Sequence, residues 1–281
     1  MSLISKTNNI MKHFGFEFNK NLGQNFLIDQ NILNKIVDGA ELDEDSTVIE
    51  IGPGIGTLTQ EMARHCRKVA AIELDDKLIP ILNESLADFN NIEIINDDAA
   101  KIDYKKLIED KNLSNVKVVA NLPYYVTTPI IAKLFNDKPG ITSIVVMIQK
   151  EVADRITSGP GTKEYGSITL LVQYYSKVQK ICRVSPSCFV PRPRVESTVI
   201  RMDVLDTPAV HVDDEKLFFR VIRDSFNMRR KTLWNALKKI GPGEDKLKEA
   251  FEASNIDPIR RGETLSMQEF ADLSNEILKR M

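Results

Sequence analysis

Residues 48–59 read VIEIGPGIGTLT. A strand-forming apolar run ends at Gly52, further glycines follow at Gly54 and Gly56, and a helix-forming stretch begins near Gly56. Glycine lets backbone approach a ligand with no Cβ in the way. The spacing is G-x-G-x-G, whereas the dinucleotide fingerprint is G-x-G-x-x-G, and position 57 is Thr. The Lys and Ser/Thr of a Walker phosphate loop are missing too. A glycine turn can also be purely structural, so its meaning depends on its surroundings.

Outward from this loop, short β-branched runs recur: TVIEIG, KVAAIELD, IEIIND, VKVVAN and TSIVVMIQ, then ITLLVQYY and STVIRMDV. The first four are separated by apolar residues at helical spacing, such as Leu58, Met62 and Ala63, then Leu78, Ile81, Leu82 and Leu86. This predicts βαβ units with strands buried on both faces. ITLLVQYY and STVIRMDV read as two further strands, joined by a proline-bearing link and added antiparallel to a parallel sheet. The acidic stretch DVLDTPAVHVDDEK at 203–216 marks a boundary, beyond which only helix-period segments remain. The expected plan is an N-terminal extension over 1–20, an α/β domain over 21–207 with a mainly parallel seven-stranded sheet, and a small all-helical domain over 208–281.

Of 281 residues, 42% are hydrophobic and 28% charged, an ordinary globular balance. No apolar run is long enough to span a bilayer, and the first residues fit neither a secretory signal nor a transit peptide. Cys66, Cys182 and Cys188 form no metal-ligand array, so a cytoplasmic chain with reduced cysteines and no metal is expected. The net charge of −2 argues mildly against nucleic acid as partner. It hides a gradient: Lys177–Arg201 holds six basic residues against one acidic, and Arg220–Ile240 seven against one. Each run reads either as a phosphate-binding surface or as a solvated face.

Glu73 ends the second strand, 21 residues after Gly52, where a carboxylate can accept both hydroxyls of a ribose. Asp98, after the third strand, can accept from an adenine amino group or lie alongside it. Either acid alone could be a cap or a loop residue. Together, at successive strand ends, they favour a nucleoside site, and the absence of basic residues near the loop favours a ligand without phosphate. S-adenosylmethionine meets that requirement. Glu50, before Gly52, is expected to brace the loop in a supporting role.

NLPYY at 121–125 follows the fourth strand. Pro123 keeps Leu122 out of the α region. The Asn121 side-chain oxygen and the Leu122 carbonyl can then accept the two hydrogens of a substrate amine, while Tyr124 stacks on the attached ring. An Asn-initiated turn with a packed Tyr is the bland alternative. His13, His65 and His211 are scattered, and none is assigned as a base.

With these sites assembled, the sequence resembles the ribosomal RNA adenine N6-dimethyltransferases, in particular the bacterial branch acting on 16S RNA. The likeness covers about residues 18–281 and rests on an ordered set: NLGQNFLID, VIEIGPGIGTLT, AIELD, DDAAK, NLPYYVTTPI, VVMIQKEVADRI, YGSITLLVQYY, FVPRPRVEST and RRKTLWNAL. The resemblance implies a Rossmann-like, S-adenosylmethionine-dependent methyltransferase that dimethylates N6 of two adjacent adenosines near the 3′ end of 16S rRNA, in small-subunit biogenesis. It implies cofactor contacts at Gln24, Asn25, Leu27, Gly52, Gly54, Glu73, Asp98 and Asn121. The target adenine would meet Asn121, Leu122 and Tyr124, with Phe189 closing on its other face. Arg192 and Arg194 near the pocket, and Arg229, Arg230 and Lys231 in the helical domain, would hold RNA of the immature 30S subunit. A monomer is expected. The family commonly has Gly before its third-strand Asp, whereas this chain has Asp97, which leaves open which of the pair makes the contact. Competing readings are a 23S-directed macrolide-resistance methyltransferase, a mitochondrial transcription-factor relative and a noncatalytic ribosome-assembly binder.

Overall fold

The computed structural model describes residues 5, 10, 12–15, 23–228 and 230–281. The expected extension over 1–20 thus lies largely outside the described residues, as do Asn21 and Leu22.

Five strands, β2 (Thr47–Ile51), β3 (Lys68–Glu73), β4 (Ile92–Asn96), β5 (Val116–Asn121) and β6 (Ile141–Gln149), are joined by helices α2 (Thr57–Ala63), α3 (Ile79–Ser85), α4 (Tyr104–Asp110) and α5 (Thr127–Asp137). They pair in parallel, and β9 (Ser197–Val204) pairs antiparallel with β6. With β7 (Ser176–Val184) the sheet has seven strands in the order β4-β3-β2-β5-β6-β9-β7. Val48, Ile49, Val118 and Val119 are 0% exposed, as expected of strands covered on both faces. The direction of winding reverses between β2 and β5, and in such sheets ligands bind at the strand carboxyl ends beside that switch point. A separate two-stranded ladder pairs β1 (Phe26–Leu27) with β8 (Phe189–Val190). The helix α1 (Gln30–Ala40), capped by Asp29 at its start, buries Leu33, Ile36 and Val37.

Residues 168–175 are not the strand the sequence suggests. They lie in helix α7 (Ser167–Tyr175), and the strand is the stretch that follows, β7. Thr169 Oγ1 accepts from the Gly166 N–H at 3.1 Å and donates to the Arg155 carbonyl at 2.6 Å. Gln173 Nε2 donates to the carbonyls of Ile156 and Ser158. The helix is therefore fixed by carbonyls at and beyond the end of α6 (Lys150–Ile156), partners that no local pattern reveals.

The chain divides into two compact units, Met1–Ala153 with Lys177–Val204, and Asp154–Ser176 with Leu205–Met281. A single cut at 207/208 omits residues 154–176 from the second unit. Tyr165, Leu170 and Tyr174 carry that segment into the second unit's core, with Phe218, Leu233 and Phe270. The unit's remaining helices are α8 (Glu215–Asn227), α9 (Leu233–Leu237), α10 (Glu244–Ala253) and α11 (Met267–Leu278). The helix-period stretch 215–240 is interrupted where Thr232 accepts from the Asn235 N–H and starts α9 afresh.

Candidate active site

A single cleft opens at the carboxyl ends of β2, β3, β4 and β5. Its empty space is about 1100 Å³ with the solvent-open mouth included, ample for a nucleoside-sized ligand. Gln24, Asn25, Leu27, Glu50, Gly52, Gly54, Glu73, Asp97, Asp98, Asn121, Leu122 and Tyr124 all line it.

The glycine loop forms one wall. Gly54 has φ +61°, and a Cβ there would lie 3.0 Å from Phe26 Cε1. Phe26 packs with Ile55, Leu78 and Ile81, so the QNFL segment is clamped directly onto the loop. Gly56, at φ +84°, turns the chain into α2 where a Cβ would meet Leu86 Cδ2 at 2.9 Å.

Glu73 is 6% exposed, and burial raises its pKa above the ordinary carboxylate value. The Asp75 N–H donates to its Oε1 at 2.8 Å, and the N–H groups of Gly54 and Leu74 also favour its charge. Gln24 Nε2 donates to Asp75 Oδ2 at 2.7 Å, tying the rim to the same turn. Asp98 accepts from the Ala100 N–H at 2.9 Å and pairs with Lys101 at 3.0 Å, which holds its pKa down. Asp97 folds back, its Oδ1 accepting from the Asp98 N–H at 2.7 Å. Both acids line the cleft, Asp97 as the more exposed of the two.

Asn121 Nδ2 donates to the Asn25 carbonyl at 3.0 Å. That bond commits the NH₂ end of the amide and leaves Oδ1 as the acceptor offered to a ligand. The Leu122 N–H is anchored to the Met147 carbonyl of β6 at 3.1 Å. Pro123 presents its carbonyl to the Val126 N–H and the Thr127 hydroxyl, so the turn is held from both sides. The Tyr124 hydroxyl bonds Ser197 Oγ at 2.8 Å, which fixes the ring by its far end.

Phe189 does not join this group. It is 3% exposed and packs with Leu27, Val184 and Val199 in the apolar core, because β8 pairs with β1 and sets Phe189 opposite Leu27. Arg192 and Arg194 are exposed in the first unit, and Arg230 and Lys231 in the second. Arg229 lies outside the described residues. The sequence reading assigned no role to Phe26, Asp75 or Ser197. All three stand inside the motifs NLGQNFLID, AIELD and FVPRPRVEST, but their contacts are tertiary.

Residues 15–279 match the family described as ribosomal RNA adenine dimethylase. The chain belongs to that family.

A ribosomal RNA small subunit methyltransferase A from Clostridium botulinum is 55% identical to this dimethylase over 269 residues, covering 96% of this chain and 97% of the relative. One from Alkaliphilus oremlandii is 54% identical over 279 residues, covering 98% and 97%. Among solved structures, a dimethyladenosine transferase from Plasmodium falciparum superposes with a TM-score of 0.75 at 25% identity, covering 91% of this chain and 98% of that one. The 23S rRNA methyltransferase ErmE shares the fold, with a TM-score of 0.68 at 22% identity, covering 90% and 99%.

The cleft of the dimethylase fits S-adenosylmethionine. It offers Glu73 at the strand end for a ribose, a loop wall in which Gly52 and Gly54 present bare backbone and, in Glu50, a buried carboxylate oxygen without a partner. Among the described residues no cluster of three or more His, Cys, Asp or Glu is arranged to hold a metal ion.

Proposed function

We propose that this dimethylase transfers methyl groups from S-adenosylmethionine to N6 of two adjacent adenosines near the 3′ end of 16S rRNA. It would act as a monomer on the immature small subunit, in the cytoplasm. One observation carries the reading: the Asn121 amide, held by Asn25, and the Tyr124 ring, held by Ser197, line the same cleft as Glu73 and Asp98.

In this reading Glu73 accepts the ribose hydroxyls and Asp98 lies at the adenine amino group, while Gly52 and Gly54 let backbone approach the donor. Gln24, Asn25 and Leu27 form the rim. When bound, S-adenosylmethionine supplies a methyl carbon already activated by its sulfonium, whose sulfur keeps the electron pair as the carbon departs. Asn121 Oδ1 and the Leu122 carbonyl accept the two N6 hydrogens and turn the nitrogen lone pair toward that carbon. Tyr124 stacks on the extruded base, and the proton released from nitrogen goes to water. His13, His65 and His211 do not line the cleft, so none serves as base. Arg192, Arg194, Arg230 and Lys231 contact RNA phosphates, with Arg229 assigned the same role from sequence alone.

The test uses small subunits from cells lacking this activity, incubated with the protein and labelled donor. Nuclease digestion and mass mapping are expected to find dimethyladenosine at two adjacent 3′-end positions. Label on 23S rRNA, or no label, overturns the assignment.

A further inference from the structure

The turn after β5 carries two tyrosines, and the roles above use only one. Tyr124 and Tyr125 lie between Pro123 and Val126, where the Val126 N–H donates to the Pro123 carbonyl at 3.2 Å and closes the turn. The two rings are held differently. Tyr124 is half-buried, with its hydroxyl on Ser197. Tyr125 lines the same cleft but is 52% exposed, so its ring stands at the mouth. Gly23 backs it, for a Cβ built there would lie 3.6 Å from Tyr125 Cδ1. A single exposed aromatic is ordinary on a protein surface. One fixed on a pinned turn at the mouth of a ligand cleft is presented to whatever crosses that mouth.

The charge around the ring selects what can cross. Glu73, Asp97 and Asp98 line the cleft, and among the lining residues there is no Lys or Arg. Lys101, paired with Asp98 at 3.0 Å, offsets one of these charges. Burial raises the pKa of Tyr125, and the charges of Asp98 and Glu73 raise it further, so the phenol is neutral and close to both acids. An acidic mouth repels RNA phosphates, whereas a base presents a neutral face that stacks on an aromatic ring. RNA therefore meets Tyr125 with a base, its phosphates turned away. The proposed substrate supplies that base. While one of two adjacent adenosines is extruded beside Asn121 and Tyr124, its neighbour lies one nucleotide away, outside the cleft.

We propose that Tyr125 stacks on the nucleotide next to the adenosine undergoing transfer and so holds the adjacent pair in register at the mouth. The inference rests on the function proposed above and adds a contact which that function does not require. Stacking uses the face of the neighbouring base and leaves its N6 free. A neighbour already dimethylated is thus held as well as an unmodified one, and the same contact serves both adenosines. No bond forms or breaks in it.

Steady-state methylation by the full-length protein, on small subunits from cells lacking this activity, reads the contact. Tyr125→Ala should lower kcat/KM for the subunits about 5- to 150-fold, the scale of one base stack, through KM rather than kcat. Tyr125→Phe keeps the ring and should keep the native value. Donor affinity, measured by calorimetry, should be the same in all three proteins. Should Tyr125→Ala fail to fold, the native protein still decides the matter on subunits in which one of the two adenosines is replaced. Guanosine keeps the purine face and should leave methylation of the remaining adenosine near its original rate, whereas uridine should slow it. Uridine should cost a folded Tyr125→Ala nothing further. A loss of donor affinity as large as the loss in kcat/KM would put the ring on the donor and overturn the proposal. An unchanged kcat/KM in Tyr125→Ala, or a native protein indifferent to uridine, overturns it too while leaving the function standing. No methylation of unaltered subunits by the native protein overturns both.

Discussion

Asn121 Nδ2 donates to the backbone carbonyl of Asn25 across 96 positions of sequence, at 3.0 Å. In the proposed reading this amide would join the rim of the donor site to the place of the substrate amine, its NH₂ end held by the protein and its oxygen left for the substrate.

Asn121→Ala is expected to lower kcat by about 100-fold or more, the scale of losing a preorganised polar group at a reacting centre. Donor affinity should change by only ~3-fold, because the interaction with the amine is made near the transition state. Single-turnover kinetics beside equilibrium donor binding separate the two. Equal losses in both would move Asn121 out of the target site.

Tyr124→Ala should lose one base-stacking contact, about 1–3 kcal/mol, or roughly 5- to 150-fold in kcat/KM for the RNA. Tyr124→Phe keeps the ring and loses only the bond to Ser197, so about 1 kcal/mol is expected. Steady-state kinetics with small subunits check the order; a Phe variant as weak as Ala would locate the function in the hydroxyl.

Gly54→Ala places a Cβ 3.0 Å from Phe26 at φ +61°. Strain of about 1 kcal/mol or more is expected, with a lower Tm and weaker donor binding together. Thermal denaturation with and without donor measures both, and an unchanged affinity would detach the loop from the donor.

The folded-state pKa of Glu50, about 8, lies above its ordinary value of 4.5. The folded chain therefore binds the extra proton across that window, so the stability it contributes is complete below about 4.5 and is lost as pH rises through about 8. Donor-free Glu50→Gln should lose this dependence and be more stable than the native chain above pH 8, by about 1–3 kcal/mol. Urea denaturation between pH 5 and pH 9, as rough bounds of the window, gives the comparison; parallel curves for the two proteins would contradict it.

Arg230→Gln combined with Lys231→Gln should weaken RNA binding and reduce the salt slope by about 2, one for each phosphate contact, with donor affinity unchanged. Filter binding at several salt concentrations reads the slope. An unaltered slope would return both side chains to an ordinary solvated surface.

The sequence by itself determined the parallel sheet, the glycine turn and the strand-end acids, because each is written in local pattern. Strands buried on both faces must be continuously apolar, and residues that follow successive parallel strands must emerge at one edge. That is why Glu73, Asp98 and Asn121 were legible before any coordinates. ITLLVQYY was not, since a short apolar run satisfies either period, and its helix is held by Arg155 and Ile156 carbonyls that its own residues do not announce. Phe189 fits a pocket aromatic or a core residue equally well by sequence, and the pairing of β8 with β1 decides for the core. Only the tertiary structure could decide which polar atoms are already occupied: Asn121 Nδ2 by Asn25, the Tyr124 hydroxyl by Ser197, Gln24 by Asp75. It also left Glu50 Oε2 with none, for hydrogen-bond partners distant in sequence are chosen by packing and not by neighbours along the chain.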